Sequence, residues 1–337
     1  MLMATAMAGG AFYRDATRVW PRVPRTRGEV EDCTVMRWLK RARLLDGGPT
    51  PWSVSHAAMP VADRTADGLL RVYFSARDAR GRSRIGYADF APPAWTRPVR
   101  LAERPSLDLG ELGAFDDSGV TASWVLTLGS QKLHYYTGWS LGVTVPFHLA
   151  AGLAVSTDGG ETFERVSRAP LLDRSSADPL MTASPCVLAD NGRFRMWYVS
   201  AVRWTETSGG PRHYYHIRYA ESPDGVSWQR DGRVCIDFRD PAEYAISRPC
   251  VVKDGDRYRM WYSYRGAAYR IGYAESADGL DWTRLDDRAA IDVSPGSWDG
   301  EMQAYPYVFD WEGRRYMLYN GDGYGRTGLG VAEWCDD

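Results

Sequence analysis

The 337-residue sequence lacks several features that mark common functional classes. Its five cysteines form no CxxC pair and no zinc-type spacing, so neither a dithiol motif nor a structural metal is predicted. Lysine is almost absent, arginine carries nearly all of the positive charge, and the formal net charge is only −2. Such a balance predicts no bulk attraction to nucleic acid or to a membrane surface. No apolar run reaches the length of a membrane span.

Motifs for nucleotide binding, a nucleophilic serine and catalytic zinc are also missing. There is no P-loop, no GxGxxG after a strand, no GxSxG and no HExxH. The histidines at 56, 148, 213 and 216 belong to no close-spaced ligand motif, so neither a metal nor another cofactor is predicted. The opening residues, MLMATAMAGGAFYRD, lack the basic and apolar regions of a signal peptide, which favours a cytoplasmic location.

What the sequence does contain is a recurring pattern of aromatic strands and Asp-Gly turns. RMWY occurs at Arg195–Tyr198 and again at Arg259–Tyr262. YAESxDGxxW occurs at Tyr219–Trp228 and again at Tyr273–Trp282. Aromatic runs bounded by Gly and Asp are typical of strands and hairpins. Strand repeats of this size predict a propeller or a solenoid.

The repeat divides most of the chain into five units. The units cover residues 56–90, 116–163, 178–228, 243–282 and 299–334. Each has a first strand containing proline or valine, an aromatic second strand and a third strand of small residues. In the complete units a Trp- or Phe-bearing fourth strand is expected after the Asp-Gly turn, whose aspartates we interpret as structural. The pattern predicts an all-β fold, a five-bladed β-propeller with four-stranded antiparallel blades.

Closure of the ring is predicted from the two ends of the chain. The fifth unit ends at Trp334 without a fourth strand, and the segment Met36–Leu45 has no partner in the first unit. Its residues, MRWLKRARLL, are ambiguous between helix and strand. We expect a strand that completes the fifth blade and so removes an open edge. Residues 1–35 are expected to be a loose leader, and residues 36–337 a single domain.

These elements carry a resemblance to a known fold family. MWYS, GYAESxDGxxW and YMLYNGxGYGxTGxG resemble elements of the five-bladed propeller glycosidases, the group of arabinanases, xylosidases, invertases and mannoside phosphorylases. The resemblance covers about residues 36–334 and is nearest to glycosidase-like members without a known activity. It implies a funnel at the centre of the ring that takes a glycoside or another small saccharide ligand.

The resemblance also implies carboxylates near the start of the first strands, on the first three units. Two are needed because one protonates the leaving oxygen while the other activates water or attacks carbon. The first unit, SVSHAAMP, has His56 where an acid is expected. The second, FDDSGV, offers Asp116 and Asp117. The third, LMTASP, has no glutamate before Pro185, and the nearest acid is Asp178.

The fourth and fifth units supply the other catalytic candidates. EYAISRP contains Glu243 and Arg248, and WDGEMQAYP contains Glu301. Aromatic neighbours are expected to desolvate Glu301 partly, so that it holds a proton near neutral pH. We therefore expect Glu301 to be the proton donor and Asp117 the base, with His56 assisting and Glu243 as the next candidate.

The ligand is expected to contact charged and aromatic residues around the same funnel. The candidates are Arg248, Asp116, Asp178, Trp139, Trp204, Arg77, Arg265 and Tyr324. His56, Asp117, Arg248 and Glu301 are expected to face one central pocket. The resulting hypothesis is a glycoside hydrolase-like enzyme that uses carboxylate acid–base chemistry. The alternatives are a non-hydrolytic biosynthetic enzyme (phosphorylase, lyase, cyclase or isomerase) and a saccharide-binding propeller without catalysis.

Overall fold

The computed structural model describes residues 37–335, and almost all of the regular structure in them is β. The predicted leader, residues 1–35, and Met36 lie outside this range. Besides the strands, the described range contains one turn of 3₁₀ helix, Asp286–Arg288, and a short turn, Asp322–Gly325, in which Gly323 and Tyr324 have non-helical backbone angles. No helix in the described range is long and apolar enough to cross a membrane.

The strands follow the five repeat units in chain order. The segment before the first unit forms β1 (Arg37–Leu45). The first unit contains β2 (Ser55–Arg64), β3 (Leu70–Arg77), β4 (Ser83–Phe90) and β5 (Arg100–Leu101). The second contains β6 (Gly119–Leu128), β7 (Gln131–Leu141), β8 (Phe147–Ser156) and β9 (Glu164–Arg165). The third contains β10 (Thr182–Asp190), β11 (Arg193–Thr205), β12 (Arg212–Ser222) and β13 (Val234–Ile236).

The last two units complete the series. The fourth contains β14 (Ala245–Asp254), β15 (Arg257–Arg265), β16 (Tyr269–Ser276) and β17 (Thr283–Arg284). The fifth contains β18 (Ala304–Trp311), β19 (Arg314–Asn320) and β20 (Leu329–Cys335). Consecutive strands within a unit pair antiparallel, and a single parallel bridge between Tyr215 and Ala245 joins the third and fourth units into one sheet.

The N-terminal strand pairs with the C-terminal one. β1 runs antiparallel to β20, with Trp38 opposite Trp334. Lys40 of β1 donates to the buried carboxylate of Asp299 in the fifth unit at 2.6 Å. The segment 37–45 is therefore a strand and not a helix, and it takes the fourth place in the sheet β18–β19–β20.

The sheets pack against one another on both faces. Met260, Trp261 and Tyr262 are consecutive residues of β15, and all three are buried. Alternate residues of a strand point to opposite faces, so both faces of this sheet are covered. The first strand of each unit contacts the first strand of the next, and β18 contacts β2.

Hydrogen bonds of one type link neighbouring units near the centre. A side-chain oxygen of the second strand accepts from a backbone N–H in the first strand of the following unit. The pairs are Ser75–Ala122 at 3.0 Å, Thr137–Ser184 at 2.8 Å, Ser263–Tyr305 at 2.7 Å and, from the fifth unit to the first, Asn320–Met59 at 3.1 Å.

The Asp-Gly turns have the structural role expected for them, but the fourth strands are shorter than predicted. Asp224 accepts from the backbone N–H groups of Val226 and Ser227 within its own turn. Trp228 donates to the carbonyl of Gly225 and lies in the turn, so the strand β13 begins only after it. Such turns also dock on the preceding unit, as where Tyr135 donates to the same carbonyl at 3.0 Å.

Candidate functional site

The beginnings of the five first strands lie at one end of the packed sheets, which we call the mouth. In an antiparallel sheet the first and third strands begin, and the second strand ends, at the same edge. This topology gathers side chains that are far apart in sequence. His56 begins β2, and Arg77 and Arg265 end the second strands β3 and β15, opposite Ser55 and Ala245.

Eight rings form a continuous arc along the mouth from the second unit to the fifth. We call it the aromatic arc, and its members are Trp139, Phe147, Trp204, His213, Tyr215, Tyr269, Tyr305 and Tyr324.

The first half of the arc joins the second and third units through ring contacts. The centroid of Phe147 is 5.2 Å from that of Trp139 and 5.4 Å from that of Trp204. His213 lies 5.5 Å from Trp204 and stacks on Tyr215 at 4.6 Å, with 8° between the ring planes. Both tryptophans are half-buried, so their rings keep accessible surface.

The second half of the arc is made of tyrosines. The hydroxyl groups of Tyr215 and Tyr269 are hydrogen-bonded at 2.7 Å. The ring of Tyr269 lies 5.6 Å from Tyr305 and 6.1 Å from Tyr324. Tyr269 and Tyr305 are buried, whereas the half-buried Tyr215 and Tyr324 keep accessible surface, where a phenol offers both an apolar face and a polar tip.

Two arginines lie beside this half of the arc. Arg265 donates from Nη1 to the hydroxyl of Tyr324 at 2.6 Å, and its guanidinium is within 5.5 Å of the ring centroids of Tyr244, Tyr269 and Tyr324. Arg77 is exposed and interacts electrostatically with Tyr305 and Tyr324. Within residues 37–335, neither guanidinium forms an ion pair with a carboxylate.

His56 is neutral at physiological pH. Burial, followed by the positive charges of Arg77 and Arg326, lowers its pKa from 6.5 to about 4. Its Nδ1 lies 2.9 Å from Ser55 Oγ, and the ring also bonds to the backbone of Gly323. His213 behaves alike, because burial and then Arg265 and Arg212 lower its pKa to about 4. The charge of the mouth therefore comes from its arginines.

The first strands share a bulge just inside the mouth. Each register is interrupted at the same place, and in four strands the interrupting residue has a left-handed backbone and precedes a proline. These four residues are Met59, Ser184, Arg248 and Tyr305, with φ between 48° and 60°. The position in the first unit that matches Ser184 is thus Met59, and none of the four carries a carboxylate.

Arg248 lies where three units meet, just inside the mouth. It belongs to the fourth unit, yet its guanidinium donates to the carbonyls of Ser123 in the second unit and Pro60 in the first, the latter at 2.8 Å. The residue is 1% exposed, and burial lowers its pKa to about 10. Among the described residues it forms no ion pair with Glu243 or Glu301. Because it is almost wholly buried, it is not accessible to a ligand at the mouth.

The predicted acids of the second and third units are engaged inside their own sheets. Asp116 is buried and accepts from Tyr136 Oη at 2.9 Å and from Arg165 Nε at 2.7 Å. Asp178 is also buried, and it accepts from Tyr198 Oη at 2.9 Å and from Arg230 Nη1 at 2.8 Å.

The fifth unit repeats this arrangement of carboxylate, tyrosine and base. In the fourth unit the carboxylate pairs with an arginine, and Tyr262 donates to Asp286 instead. Glu243 is buried in a bidentate pair with Arg284 at 2.8 and 3.0 Å. Asp299 accepts from Tyr319 Oη at 3.2 Å and from Lys40. We call these groups the sheet ties, and they fix the segment before each first strand to the rest of its unit.

The two acids with the main predicted catalytic roles lie outside the sheet ties. Asp117 is half-buried and accepts from the backbone N–H of Gly113 at 2.9 Å and from Ser118 Oγ at 2.7 Å, within its own turn. Glu301 is exposed, and the desolvation expected for it is not found, because Trp298 stacks on Tyr319 instead. Their catalytic roles stay predictions.

Sequence reasoning missed most of the arc and the bulge. Phe147, Tyr215, Tyr269 and Tyr305 read as ordinary strand residues in the repeat. The dipeptides MP, SP, RP and YP were the available signal for the bulge, because proline cannot donate to the strand ladder and within a sheet is confined to edges and bulges. No group of three or more His, Cys, Asp or Glu that could hold a metal ion occurs among the described residues.

Comparison with solved structures identifies the fold of the chain. The chain is similar to a glycoside hydrolase with a TM-score of 0.71 at 17% identity, over 90% of this chain and 93% of that one. A thermostable family-43 glycoside hydrolase matches with a TM-score of 0.61 at 18% identity, over 84% and 90% of the two chains. The endo-arabinase of Bacteroides thetaiotaomicron matches with 0.59 at 13%, over 85% and 98%. The fold is that of the propeller glycosidases, as the sequence predicted, and identities this low define the fold alone.

Sequence relatives define the family. No family model matches the chain. Two uncharacterized Mycobacterium tuberculosis proteins, MT1551 and Rv1502, are 45% and 44% identical to it over 298 residues, which is 88% of this chain and 99% of each relative. The chain belongs to the family of these two proteins.

Proposed function

We propose that the protein binds a saccharide at the mouth of the ring, on the aromatic arc. The arc is the observation that supports this most directly. Its eight rings run without interruption past four units, and the half-buried members present faces on which a sugar ring can stack. The residues we assign to ligand binding are Trp139, Trp204, Tyr324, Arg77 and Arg265, with His56 beside them.

We further propose that the five units are the blades of one closed propeller within a single domain. The support is that β1 takes the fourth place in the last sheet, with Lys40 supplying its sheet tie. The hydrogen bond from Met59 N–H to Asn320 Oδ1 also links the last unit to the first in the manner of the other junctions.

Hydrolysis by the usual pair of carboxylates is not the chemistry that this mouth favours. Such a pair has to stand about 5–10 Å apart on either side of the scissile bond. Asp116, Asp178 and Glu243 are buried in sheet ties, where each neutralises an arginine. We therefore assign them a structural role, and the primary function we propose is saccharide recognition.

Carboxylate catalysis is a second candidate because of one contact. The backbone N–H of Ser118 donates to the carbonyl of Trp139 at 3.0 Å, which holds Asp117 next to the end of the arc. From there Asp117 can act as a base on a sugar stacked on Trp139, with Glu301 as donor across the mouth.

The test of the main proposal is calorimetric titration of the whole protein with a panel of mono- and disaccharides. Trp204→Ala is expected to weaken binding on the order of tenfold, because one stacking face is lost. Leu141→Ala is the control, since Leu141 ends the same strand as Trp139 but is 77% exposed. Absence of binding by every sugar, or equal affinity for wild type and Trp204→Ala, contradicts the proposal.

A turnover assay on aryl glycosides distinguishes carboxylate catalysis, the second candidate, from saccharide recognition alone. Asp117→Asn should then lower the rate on the order of 10²-fold or more while the affinity for the product sugar stays unchanged. Binding without turnover leaves recognition as the function.

A further inference from the structure

We infer that the saccharide taken by the mouth is anionic, and that its phosphate or carboxylate group is held between Arg77 and Arg265 beside Tyr324. This inference rests on the proposed function, because it names the class of sugar for the same site. It starts from the placement of arginine at equivalent points of the ring. Among the five units, only the first and fourth end their second strand with an arginine opposite the first strand.

The hydrogen-bonding capacity of Arg265 is largely unused. Its Nη1 donates to Tyr324 Oη, and its buried Nε has no partner among the described residues. A guanidinium carries five N–H donors in a rigid fork that matches an oxyanion. Phenols cannot neutralise it, so the cation is partly desolvated without a counter-charge, which is unfavourable until an anion arrives.

The charged groups that act on the two histidines of the mouth have one sign. The charged groups that act on His56 are Arg77 and Arg326, and those that act on His213 are Arg265 and Arg212. Both histidines stay neutral near pH 7, so they neither add to this field nor cancel it. Since no carboxylate interacts with these groups, the field attracts an anion and disfavours a cation.

The loop that carries Tyr324 is shaped for this position. Gly323, Tyr324 and Gly325 are all left-handed, with φ of 62°, 62° and 88°. A Cβ on Gly325 would lie 2.6 Å from the carbonyl of Ala57, so the loop can approach β2 only with glycine there. A non-glycine residue in such a conformation is a cost that recurs at ligand sites. Here it directs the hydroxyl of Tyr324 to the side chain of Arg265.

The arrangement describes a subsite in which the sugar ring stacks on the arc and its oxyanion faces the two arginines. A charge-assisted hydrogen bond is about twice as strong as a neutral one, so the anionic group dominates affinity. Phosphate and carboxylate share this chemistry, and the ligand panel distinguishes them.

The experiment is titration of the whole protein with matched sugars: glucose, mannose and galactose, their 6-phosphates, their uronates, and inorganic phosphate alone. We expect a 6-phosphate or a uronate to bind at least about tenfold more tightly than its parent sugar. The advantage should shrink between 50 and 500 mM NaCl, because salt screens accessible charges.

Arg77→Gln and Arg265→Gln should each remove most of the advantage of the charged sugar, so that the charged and the neutral sugar bind with affinities within about twofold of each other. Arg265→Lys keeps the charge without the planar fork, so its preference for the charged sugar should lie between those of the wild type and Arg265→Gln. Arg257→Gln is the control, because Arg257 is 62% exposed, pairs with Glu275 and begins β15, at the opposite end of that strand from Arg265. Thermal melting of each variant checks that it is folded.

The outcomes separate this inference from the proposed function. Equal affinity for neutral and charged sugars, with both weakened by Trp204→Ala, overturns the anion site and leaves saccharide binding in place. Binding of inorganic phosphate at these arginines without any preference for sugar phosphates overturns saccharide binding. If none of the probes binds, both are wrong.

Discussion

Arginines of the sheet flanks and arginines of the mouth meet different partners. On the flank, Arg71 is 2% exposed and bonds both oxygens of the buried Asp89, at 2.7 and 2.8 Å. At the mouth, Arg265 is half-buried and its one side-chain acceptor is the phenol of Tyr324. A buried guanidinium matched by a carboxylate has no capacity left for a ligand, whereas one matched by a phenol keeps its charge and most of its donors. Thus the partner of an arginine distinguishes its role here better than its burial does.

The largest effect is expected from removing the N-terminal strand. Deletion of residues 1–45 takes away β1, its pairing with β20 and the sheet tie from Lys40 to Asp299. The exposed edge of β20 then becomes a template for association. We expect aggregation or loss of cooperative melting, measured by light scattering and circular dichroism. A truncated protein that melts like the full chain would show that the last sheet does not need its fourth strand.

A large but smaller effect is expected from breaking one sheet tie. Asp178→Ala leaves Arg230 and Arg218 without their buried counter-charge, which should lower the free energy of unfolding by about 3–5 kcal/mol. Urea denaturation measures this. Asp281→Ala is the control, because Asp281 is 86% exposed in its pair with Arg233 and should cost less than about 1 kcal/mol.

If Asp178→Ala were fully stable but no longer bound sugar, Asp178 would belong to the ligand site at the mouth and not to a structural sheet tie. Unchanged affinity per folded molecule is the expected result.

The pH dependence of stability should come partly from histidines that cannot accept a proton in the folded state. Burial, with a smaller contribution from Arg248, lowers the pKa of His134 to about 3, and that of His56 is about 4. The unfolded chain takes up these protons near pH 6.5, so the stabilisation is complete above that pH. It is lost as the pH falls towards 4, by about 1.4 kcal/mol per pH unit for each such histidine.

His134→Phe isolates one of these protons. His134 is fully buried between Tyr73 and Phe163, with ring centroids at 5.3 and 4.9 Å, and its ring nitrogens have no hydrogen-bond partner among the described residues. The variant should be at least as stable at pH 7, and its unfolding free energy should fall less steeply from pH 6.5 to 4. An unchanged slope would mean that the imidazole is protonated in the folded protein.

The smallest effect is expected for Glu301→Gln. Glu301 is exposed, and its backbone, not its carboxylate, bonds to Asp322 and Arg270. Melting temperature and sugar affinity should therefore match the wild type. A 10²-fold loss of turnover on an aryl glycoside would instead restore Glu301 as the proton donor and place a working carboxylate at the mouth.

The sequence predicted the strands well where the repeat was strong. YRMWYSYR and YRIGYAES are the hairpin β15–β16, and MRWLKRARLL includes the strand β1. Local residue patterns determine such elements, since strand propensity and turn chemistry act over a few residues.

The site was less predictable because it depends on contacts between distant residues. Arg265 and Tyr324 meet across 59 positions, and a pattern within one unit carries no trace of that contact. Asp116 and Asp178 were predicted to contact the ligand because both precede a first strand. Their recurrence in register with Asp299 was itself the sign of a structural tie, since one active centre does not need the same acid in several units.

Arg248 fills the space where the first, second and fourth units meet. Its guanidinium spans three units, and below it the rings of Trp124 and Tyr307 lie 4.9 Å apart and are almost wholly buried. In the closed propeller that we propose, a polysaccharide cannot pass through this centre, so a ligand would enter and leave the mouth from the same end.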